Sequence, residues 1–293
     1  MAGNCSNVSD MTGRTVVITG GNSGIGRATA EALAKLGARV VITSRAETRG
    51  SAAVADIRRA SGNEHVDCVP LDLASLASVR SCADELLQRL DAIHVLDLNA
   101  GGVLSRRTET ADGYESQFQA NHLGHFLLSQ LLVDRLKQSA PARVVVLSSW
   151  GHTQARDGID FDDLQWMARP YRGSFVYSAT KLMNLYFTFE FARRLAGTGV
   201  TVNALHPGYV ASGFGMSGDT NLLRLGLVLS RPFARSPRKG AATAVWLAAS
   251  DEVKDETGQY FADCKVKAPS PRALDGDAAG RLWDVSGELA GLG

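Results

Sequence analysis

The chain has 293 residues, a length that suits either one large α/β domain or two small domains. Its content of 45% hydrophobic and 21% charged residues excludes global disorder and provides for a sizeable core. Lysine and arginine total 31 and aspartate and glutamate 30, so the net charge is +1. This balance argues against a dedicated nucleic-acid-binding protein, which usually carries a basic excess.

The four cysteines are scattered along the chain, at Cys5, Cys68, Cys82 and Cys264. Because they form no CxxC pair, we expect neither a zinc site nor a disulfide framework, and we expect a reduced, cytoplasmic protein. The N-terminal residues have no basic stretch followed by an apolar one, so no signal peptide is predicted. The long uncharged stretch 195–218 contains Pro207 and several glycines, and we expect no membrane span.

Short runs rich in valine and isoleucine alternate with longer helical patterns from Arg14 onward. Strands are predicted at 15–19, 39–43, 65–69, 93–98, 143–148, 200–205 and 258–262. Helical patterns between them include 24–36, 75–90 and 114–138. This alternation predicts an α/β fold of the Rossmann type, a single domain with a doubly wound, seven-stranded parallel sheet covered by helices on both faces.

We expect residues 1–12 to form a loose leader and residues 13–293 to form the single domain. Two stretches interrupt the alternation, a polar insertion at 150–172 and a stretch rich in glycine and leucine at about 211–239. Both follow the carboxyl ends of strands, where open α/β sheets bind ligands. The second stretch is interpreted as an apolar lid over a lipophilic substrate, with a subunit contact or a helix packed on the core as alternatives.

The sequence TGGNSGIG at residues 19–26 directly follows the first predicted strand and opens into a helix. A pyrophosphate must approach backbone N–H groups at a helix N-terminus, and side chains on the loop would hold it away. A plain tight turn does not account for glycines at 20, 24 and 26. The loop therefore predicts a dinucleotide site.

The end of the second strand carries Ser44 and Arg45 where an acidic residue would bind the ribose of NAD. Arg45 lies near the expected position, about 20 residues beyond the glycine loop. A guanidinium pairs well with a 2′-phosphate, whereas a carboxylate would repel it. The sequence thus predicts NADP(H) as the cofactor, and the alternative is a solvated surface arginine.

Tyr177 and Lys181 are spaced to lie on one face of a helix. Tyrosine has an ordinary pKa of about 10, and a cation about 4 Å away could lower it toward neutrality. Lys181 is expected to do this together with the oxidised nicotinamide. The spacing alone is common by chance.

Further motifs occur in a fixed order along the chain, namely Asp72 in LDLAS, NAG (99–101), NHLGHF (121–126), VVVLSS (144–149), YSATK (177–181) and HPGYVAS (206–212). In this combination the chain resembles the short-chain dehydrogenase/reductase superfamily. Two tail segments, GQYFADC (258–264) and RLWDVSGEL (281–289), are similar to those of the retinol dehydrogenase-like branch.

The resemblance implies the catalytic roles. Tyr177 would be the acid/base, and Lys181 would lower its pKa and hold the nicotinamide ribose. Ser149 would hydrogen-bond the substrate oxygen, and Asn121 would hold a water that links Lys181 to solvent. The residues implied to bind the cofactor are Gly20, Asn22, Ser23, Gly24, Ile25, Gly26, Ser44, Arg45, Asp72, Leu73, Asn99, Ala100, Gly101, Tyr177, Lys181, Pro207, Gly208, Val210 and Ser212.

The chain departs from the family pattern just before the NAG motif. The family usually has a second asparagine where this chain has Leu98, and Asp97 precedes it at a predicted buried strand position. An unpaired carboxylate would be costly there, so we expect Asp97 to find a polar partner.

Three histidines near these motifs are also candidates for function. His122 and His125 have a spacing that metal ligands can share, but no third ligand is suggested, and packing roles are favoured; no metal is predicted. His152 follows Ser149 and either lines the substrate pocket or is an ordinary loop histidine.

The resulting hypothesis is an NADP(H)-dependent alcohol dehydrogenase or carbonyl reductase for a retinoid-like, steroid-like, polyketide or fatty-aldehyde substrate. The alternatives are an NADPH-dependent reductase of a carbon–carbon double bond and a non-catalytic NADPH-sensing regulator on the same fold. A homodimer or homotetramer is plausible from the resemblance.

Overall fold

The computed structural model describes residues 5–210 and 234–292. Within these residues, eight strands form one sheet in the order β3-β2-β1-β4-β5-β6-β7-β8. Their bounds are β1 Thr15–Ile18, β2 Arg39–Ser44, β3 Val66–Pro70, β4 Val95–Leu98, β5 Ala142–Leu147, β6 Val200–Leu205, β7 Tyr260–Ala262 and β8 Lys265–Val266.

Strands β1 to β7 pair in parallel, which confirms the predicted Rossmann-type sheet. The predicted count of seven omitted β8, which pairs antiparallel with β7. Both residues of β8 are exposed, so this short strand lacks the apolar pattern from which the others were predicted.

The helices of the described residues are α1 Gly24–Lys35, α2 Glu47–Ser61, α3 Leu76–Arg89, α4 Ser116–Phe118, α5 Gly124–Gln138, α6 Gly173–Arg194, α7 Pro237–Ala249 and α8 Gly276–Leu289. A π-helical turn at Gln119–Leu123 separates α4 from α5, so the helix predicted over 114–138 is interrupted. In the described parts of the chain, no helix combines the length and apolar character that a bilayer crossing requires.

Helices cover both faces of the sheet and produce two hydrophobic layers. One layer contains buried residues of α3, α5, α6 and α8, and the other contains buried residues of α1, α2 and α7. Helix α6 is buried along most of its length, because it lies between the sheet and α8. A helix enclosed in this way holds its side chains in fixed positions, and α6 is the helix that carries Tyr177 and Lys181.

The leader, expected to be loose, is attached to the domain in its described part. Met11 is only 6% exposed and belongs to the second hydrophobic layer, and the Ser9 backbone N–H donates to the carbonyl of Ala249 at 2.9 Å.

Cys5 forms a disulfide with Cys264, with their Cα atoms 5.6 Å apart. The prediction of a protein without disulfides is therefore wrong. A separation of 259 residues hides such a pairing from any spacing rule.

Asp97 occupies the centre of the sheet, and one of its carboxylate oxygens lacks the partner that the sequence predicts. It lies in register between Ile18 of β1 and Val145 of β5, and its side chain is 2% exposed. Its Oδ2 atom makes no hydrogen bond within the described residues. Burial raises the pKa of Asp97 to about 7. The neighbouring Leu98 is fully buried in the first layer.

We predict that Asp97→Asn removes a pH dependence of stability. The folded pKa is raised above its unfolded value, so the carboxyl stabilises the fold less as pH rises toward 7. Between pH 5 and pH 8, wild type should lose up to roughly 3 kcal/mol more of its unfolding free energy than Asp97→Asn. Urea unfolding at the two pH values measures this difference. Equal pH dependence in the two proteins would contradict the assignment.

A second prediction concerns the disulfide. Under oxidising conditions Cys5→Ser should lower the unfolding free energy by roughly 2–4 kcal/mol, because the bond restricts the unfolded chain. Reductant should lower wild-type stability to the same level and leave Cys5→Ser unchanged. Cys68 is a free cysteine, so Cys68→Ser is the matched control and should retain the response to reductant. Peptide mapping that finds Cys5 and Cys264 unlinked under oxidising conditions would refute the pairing.

Candidate active site

Four groups of predicted site residues lie on segments that leave the carboxyl ends of parallel strands. The glycine loop follows β1, the NAG segment follows β4, Ser149 follows β5 and Pro207 follows β6. In a parallel sheet these ends share one edge, and the order of strands reverses between β1 and β4. Open α/β sheets bind ligands in the crevice at such a reversal.

The glycine loop has the geometry that a bound pyrophosphate requires. Gly20 and Gly24 have φ values of +67° and +56°, a region that favours glycine. A Cβ on Gly26 would lie 2.4 Å from Nδ2 of Asn99, so only glycine lets the loop approach the NAG segment. Ser23 is the exposed N-cap of α1, and its side chain makes no capping hydrogen bond. The glycine loop, which includes Asn22 and Ile25, therefore presents the N-terminus of α1, and a helix N-terminus is suited to binding an anion.

The NAG segment is fixed to the start of the glycine loop through Thr19. The Asn99 side-chain amide donates to the Thr19 carbonyl at 2.9 Å, and the Ala100 backbone N–H donates to the Thr19 hydroxyl at 3.0 Å. Gly101 lies close to both Asn121 and Lys181, because a Cβ there would be 3.1 Å from the Asn121 side-chain oxygen and 3.5 Å from the Lys181 side-chain nitrogen. The NAG segment thus contacts Asn121 and Lys181 at Gly101.

The residues expected around the adenine half lie at the ends of β2 and β3. Ser44 is buried and donates to the Ala46 carbonyl at 3.0 Å, whereas Arg45 is exposed. The Asp72 carboxylate accepts from the Ala74 backbone N–H at 3.0 Å, and Leu73 is buried. Because Arg45 is exposed, its guanidinium is accessible to a phosphate group of a bound ligand.

Ser149 and Tyr177 are adjacent at the end of β5. A Cβ on Gly151 would lie 3.3 Å from the Ser149 hydroxyl oxygen and 3.5 Å from the Tyr177 ring. Ser149 caps the 3₁₀ turn Trp150–Gln154, and its hydroxyl accepts from the Gly151 backbone N–H at 3.0 Å. The turn begins the insertion at 150–172 and packs against α6.

Lys181 is 1% exposed, and its ammonium donates to the Leu147 carbonyl at 2.8 Å. The same nitrogen lies 5.5 Å from the centre of the Tyr177 ring. Ser148 strengthens this junction, since its hydroxyl donates to the Lys181 carbonyl at 2.8 Å. Strand β5 and helix α6 are therefore joined next to the two catalytic candidates.

Asn121 lies in the π-helical turn and is 1% exposed. Its side-chain oxygen accepts from the Gly102 N–H at 2.8 Å, and its amide donates to the Gly102 carbonyl at 2.9 Å and to the Thr180 hydroxyl at 3.2 Å. Asn121 thus joins the NAG segment to α6, immediately before Lys181.

The pKa directions differ from the expectation based on Lys181 alone. Burial raises the pKa of Tyr177 to about 12, although a hydrogen bond from Ser149 acts to lower it. Burial also lowers the pKa of Lys181 to about 7. The groups of the chain itself therefore keep Tyr177 as a neutral phenol, the form that can donate a proton.

The structure describes the segment after β6 as far as residue 210. Gly208 has a φ of +81°, and the Arg235 side chain packs where its Cβ would be. Arg235 forms an ion pair with Asp263. Val210 packs against Gly240 of α7. Ser212 and most of the predicted lid, residues 211–233, lie outside the described residues, and residues 237–239 begin α7.

The three histidines have partners in the protein. The His122 ring nitrogen lies 2.8 Å from the Ser286 hydroxyl, and His125 lies 3.0 Å from the Thr19 hydroxyl. His152 is 2% exposed and bridges the Ser149 carbonyl and the Ser270 backbone N–H, so it is a buried link between segments. In the described ranges no three His, Cys, Asp or Glu side chains assemble as a metal site.

Sequence reasoning missed several groups at the site. Thr19 and Thr180 are part of quoted motifs but were given no role, and the Leu147 carbonyl belongs to the backbone and has no sequence signal. His125 was considered only as a metal ligand or a packing residue. The position of Thr19 directly before the first glycine is the signal that could have identified it.

A family model for short chain dehydrogenases matches residues 14–159. Retinol dehydrogenase 13 of Homo sapiens is 42% identical over 295 residues, which cover 99% of this chain and 88% of that protein. Among solved structures, an uncharacterized protein from Mycobacterium paratuberculosis has a TM-score of 0.79 and 34% identity, covering 99% of this chain and 98% of that one. The RhlG/NADP active-site complex of Pseudomonas aeruginosa has a TM-score of 0.68 and 25% identity, with coverages of 86% and 95%.

The similarity to retinol dehydrogenase 13 extends over nearly the whole chain, including α6 and the tail, which lie beyond the residues that the family model matches. The chain belongs to the short-chain dehydrogenase/reductase superfamily of oxidoreductases, in its retinol dehydrogenase-like branch.

Proposed function

We propose that this chain is an NADP(H)-dependent oxidoreductase that interconverts the carbonyl and alcohol forms of a lipophilic substrate. The observation that carries the proposal is the convergence of Ser149, Tyr177, Lys181 and Asn121 beside a glycine loop suited to a dinucleotide. A turnover-free sensor would need the glycine loop but not all four of these side chains.

The roles follow from the chemistry of each group. The Ser149 hydroxyl hydrogen-bonds the substrate oxygen and holds it near Tyr177, and the neutral Tyr177 phenol donates its proton to that oxygen. The buried Lys181 side chain, held by the Leu147 carbonyl, supports this transfer. Asn121 holds the NAG segment next to Lys181 through its hydrogen bond with Gly102. When bound, the reduced nicotinamide supplies the hydride. The neutral phenol is the form that protonates a carbonyl oxygen during reduction.

Two observations support a lipophilic substrate. Three large aromatic side chains that are close in sequence to residues of the site are exposed, Trp150 at 59%, Phe175 at 45% and Tyr209 at 50%. Trp150 directly follows Ser149, and Phe175 lies two residues before Tyr177. Tyr209 directly follows Gly208. Apolar surface of this kind often marks a binding site. Among the retinoid-like, steroid-like, polyketide and fatty-aldehyde substrates that we propose, the similarity to a protein named retinol dehydrogenase supports the retinoid-like class.

The choice of NADP(H) rests on Arg45, which replaces the acidic residue typical of NAD sites. The RhlG complex carries NADP in its name, which agrees with this choice.

A cytoplasmic location and assembly as a homodimer or homotetramer stay predictions. The Cys5–Cys264 disulfide removes one argument for the cytoplasm, because disulfides persist mainly in oxidising compartments.

We predict that Tyr177→Phe abolishes carbonyl reduction but leaves cofactor binding nearly unchanged. Loss of a positioned general acid should reduce kcat by about 10²–10⁴-fold. Aldehydes, saturated ketones and enones are tested for NADPH consumption. Tyr186→Phe, on the same helix with its hydroxyl bonded to the Arg272 carbonyl, is the matched control.

Three outcomes of this assay would contradict the proposal. Full activity of Tyr177→Phe would remove the acid/base assignment. Turnover of enones without saturated carbonyls would favour the double-bond reductase. NADPH binding without turnover of any substrate class would favour the regulator.

A further prediction concerns cofactor choice. Arg45→Ala should raise the dissociation constant for NADPH by about 10- to 100-fold, because a charge-assisted hydrogen bond to the 2′-phosphate is lost. The constant for NADH should change little. Arg49→Ala, an exposed arginine on α2, should leave both constants unchanged. Equal or tighter binding of NADH by wild type would overturn the NADP assignment.

A further inference from the structure

His125 lies in the first turn of α5, between the end of β1 and the π-helical turn, and it is 3% exposed. Its Nε2 atom is 3.0 Å from the Thr19 hydroxyl oxygen, and its Nδ1 atom is 3.3 Å from the Asn121 carbonyl oxygen. Burial lowers the pKa of His125 to about 3, so the ring is neutral at physiological pH. A protonated ring would also be repelled by the nearby Lys181.

These contacts determine which ring nitrogen carries the proton. A carbonyl oxygen only accepts, so Nδ1 must donate to Asn121. In the neutral ring Nε2 then accepts, and its donor is the Thr19 hydroxyl. That hydroxyl accepts in turn from the Ala100 N–H at 3.0 Å. The competing acceptor of Thr19, the Asp97 carbonyl, is more distant at 3.3 Å and already receives the Thr19 N–H.

The bonds close into a ring around the NAG segment. From Ala100 the donors run through Thr19 and His125 to the backbone of Asn121, whose side chain returns to Gly102. Residues 99–102 are therefore held from two directions, and His125 is the member that joins the glycine-loop side to the Asn121 side. Removing it would free Thr19 and the Asn121 backbone at once.

We propose that His125 is a positioning residue, which sets residues 99–102 and Asn121 in the geometry that receives the cofactor. This inference rests on the proposed function, because it takes these residues to line the cofactor cleft. His125 touches neither the reacting atoms nor the catalytic side chains, and it acts through Thr19 and the Asn121 backbone.

His122 provides a matched control within the same stretch of chain. It is 2% exposed, and burial lowers its pKa to about 3 as well. Its ring hydrogen-bonds Ser286 on α8 and Asn184 on α6, and it packs near Phe118, Phe126 and Phe187. A core histidine without a positioning role should behave like His122.

The test measures the dissociation constant for NADPH and the melting temperature of His125→Phe, Thr19→Val, their double variant and His122→Phe. His125→Phe and Thr19→Val should each weaken NADPH binding by about tenfold, because each leaves buried polar groups unpaired. The double variant should bind no more than about threefold worse than either single variant, since both break the same ring of bonds. His122→Phe should lower the melting temperature and leave NADPH binding unchanged.

Independent, multiplicative losses in the double variant would overturn the proposal, as would equal losses of binding in His125→Phe and His122→Phe. If His125→Phe does not fold, His125→Gln, which keeps a donor and an acceptor, takes its place. Its binding should lie within about threefold of wild type, and a loss as large as that of Thr19→Val would contradict the role. Wild-type protein that binds no NADPH would refute the proposed function itself, which is a separate outcome.

Discussion

The hydrogen bond from the Lys181 ammonium to the Leu147 carbonyl is the interaction on which the candidate site depends. Burial of the Lys181 side-chain nitrogen is costly unless a fixed acceptor meets it, and this burial lowers the pKa of Lys181 to about 7. Here the acceptor is the last residue of β5, directly before Ser148 and Ser149. The bond therefore fixes α6 against the strand end, and Tyr177, one turn before Lys181, lies beside Ser149 as a consequence.

The parallel sheet supplies the second half of the arrangement. Because β1 and β4 are neighbours, the glycine loop and the NAG segment leave the sheet side by side, and Thr19 joins them. Asn121 and Lys181 approach this segment at Gly101, where the absence of a side chain leaves room for both. Groups that would bind a dinucleotide and groups that would move a proton are thus parts of one hydrogen-bonded structure.

Much of this could be predicted from the sequence, because valine-rich strands, glycine loops and the spacing of Tyr177 and Lys181 are local patterns. The parts that could not be predicted depend on contacts between distant residues. Cys5 and Cys264 pair across nearly the whole chain, and the Leu147 carbonyl has no signature in the sequence. Asp97 was expected to gain a partner, but its neighbours in β1 and β5 are apolar. The pKa of Tyr177 is governed by burial, which side-chain spacing does not reveal.

The central claim is that the site directs a hydride to a carbonyl carbon while Tyr177 protonates the oxygen. The most direct measurement is transfer of label to an apolar aldehyde or ketone from NADPH that carries deuterium at both hydrogen positions of the nicotinamide C4. We expect one deuterium on the former carbonyl carbon of the alcohol product, and none on its oxygen or on other carbons. Label on a carbon of a former double bond, or an alcohol product without label, would contradict it.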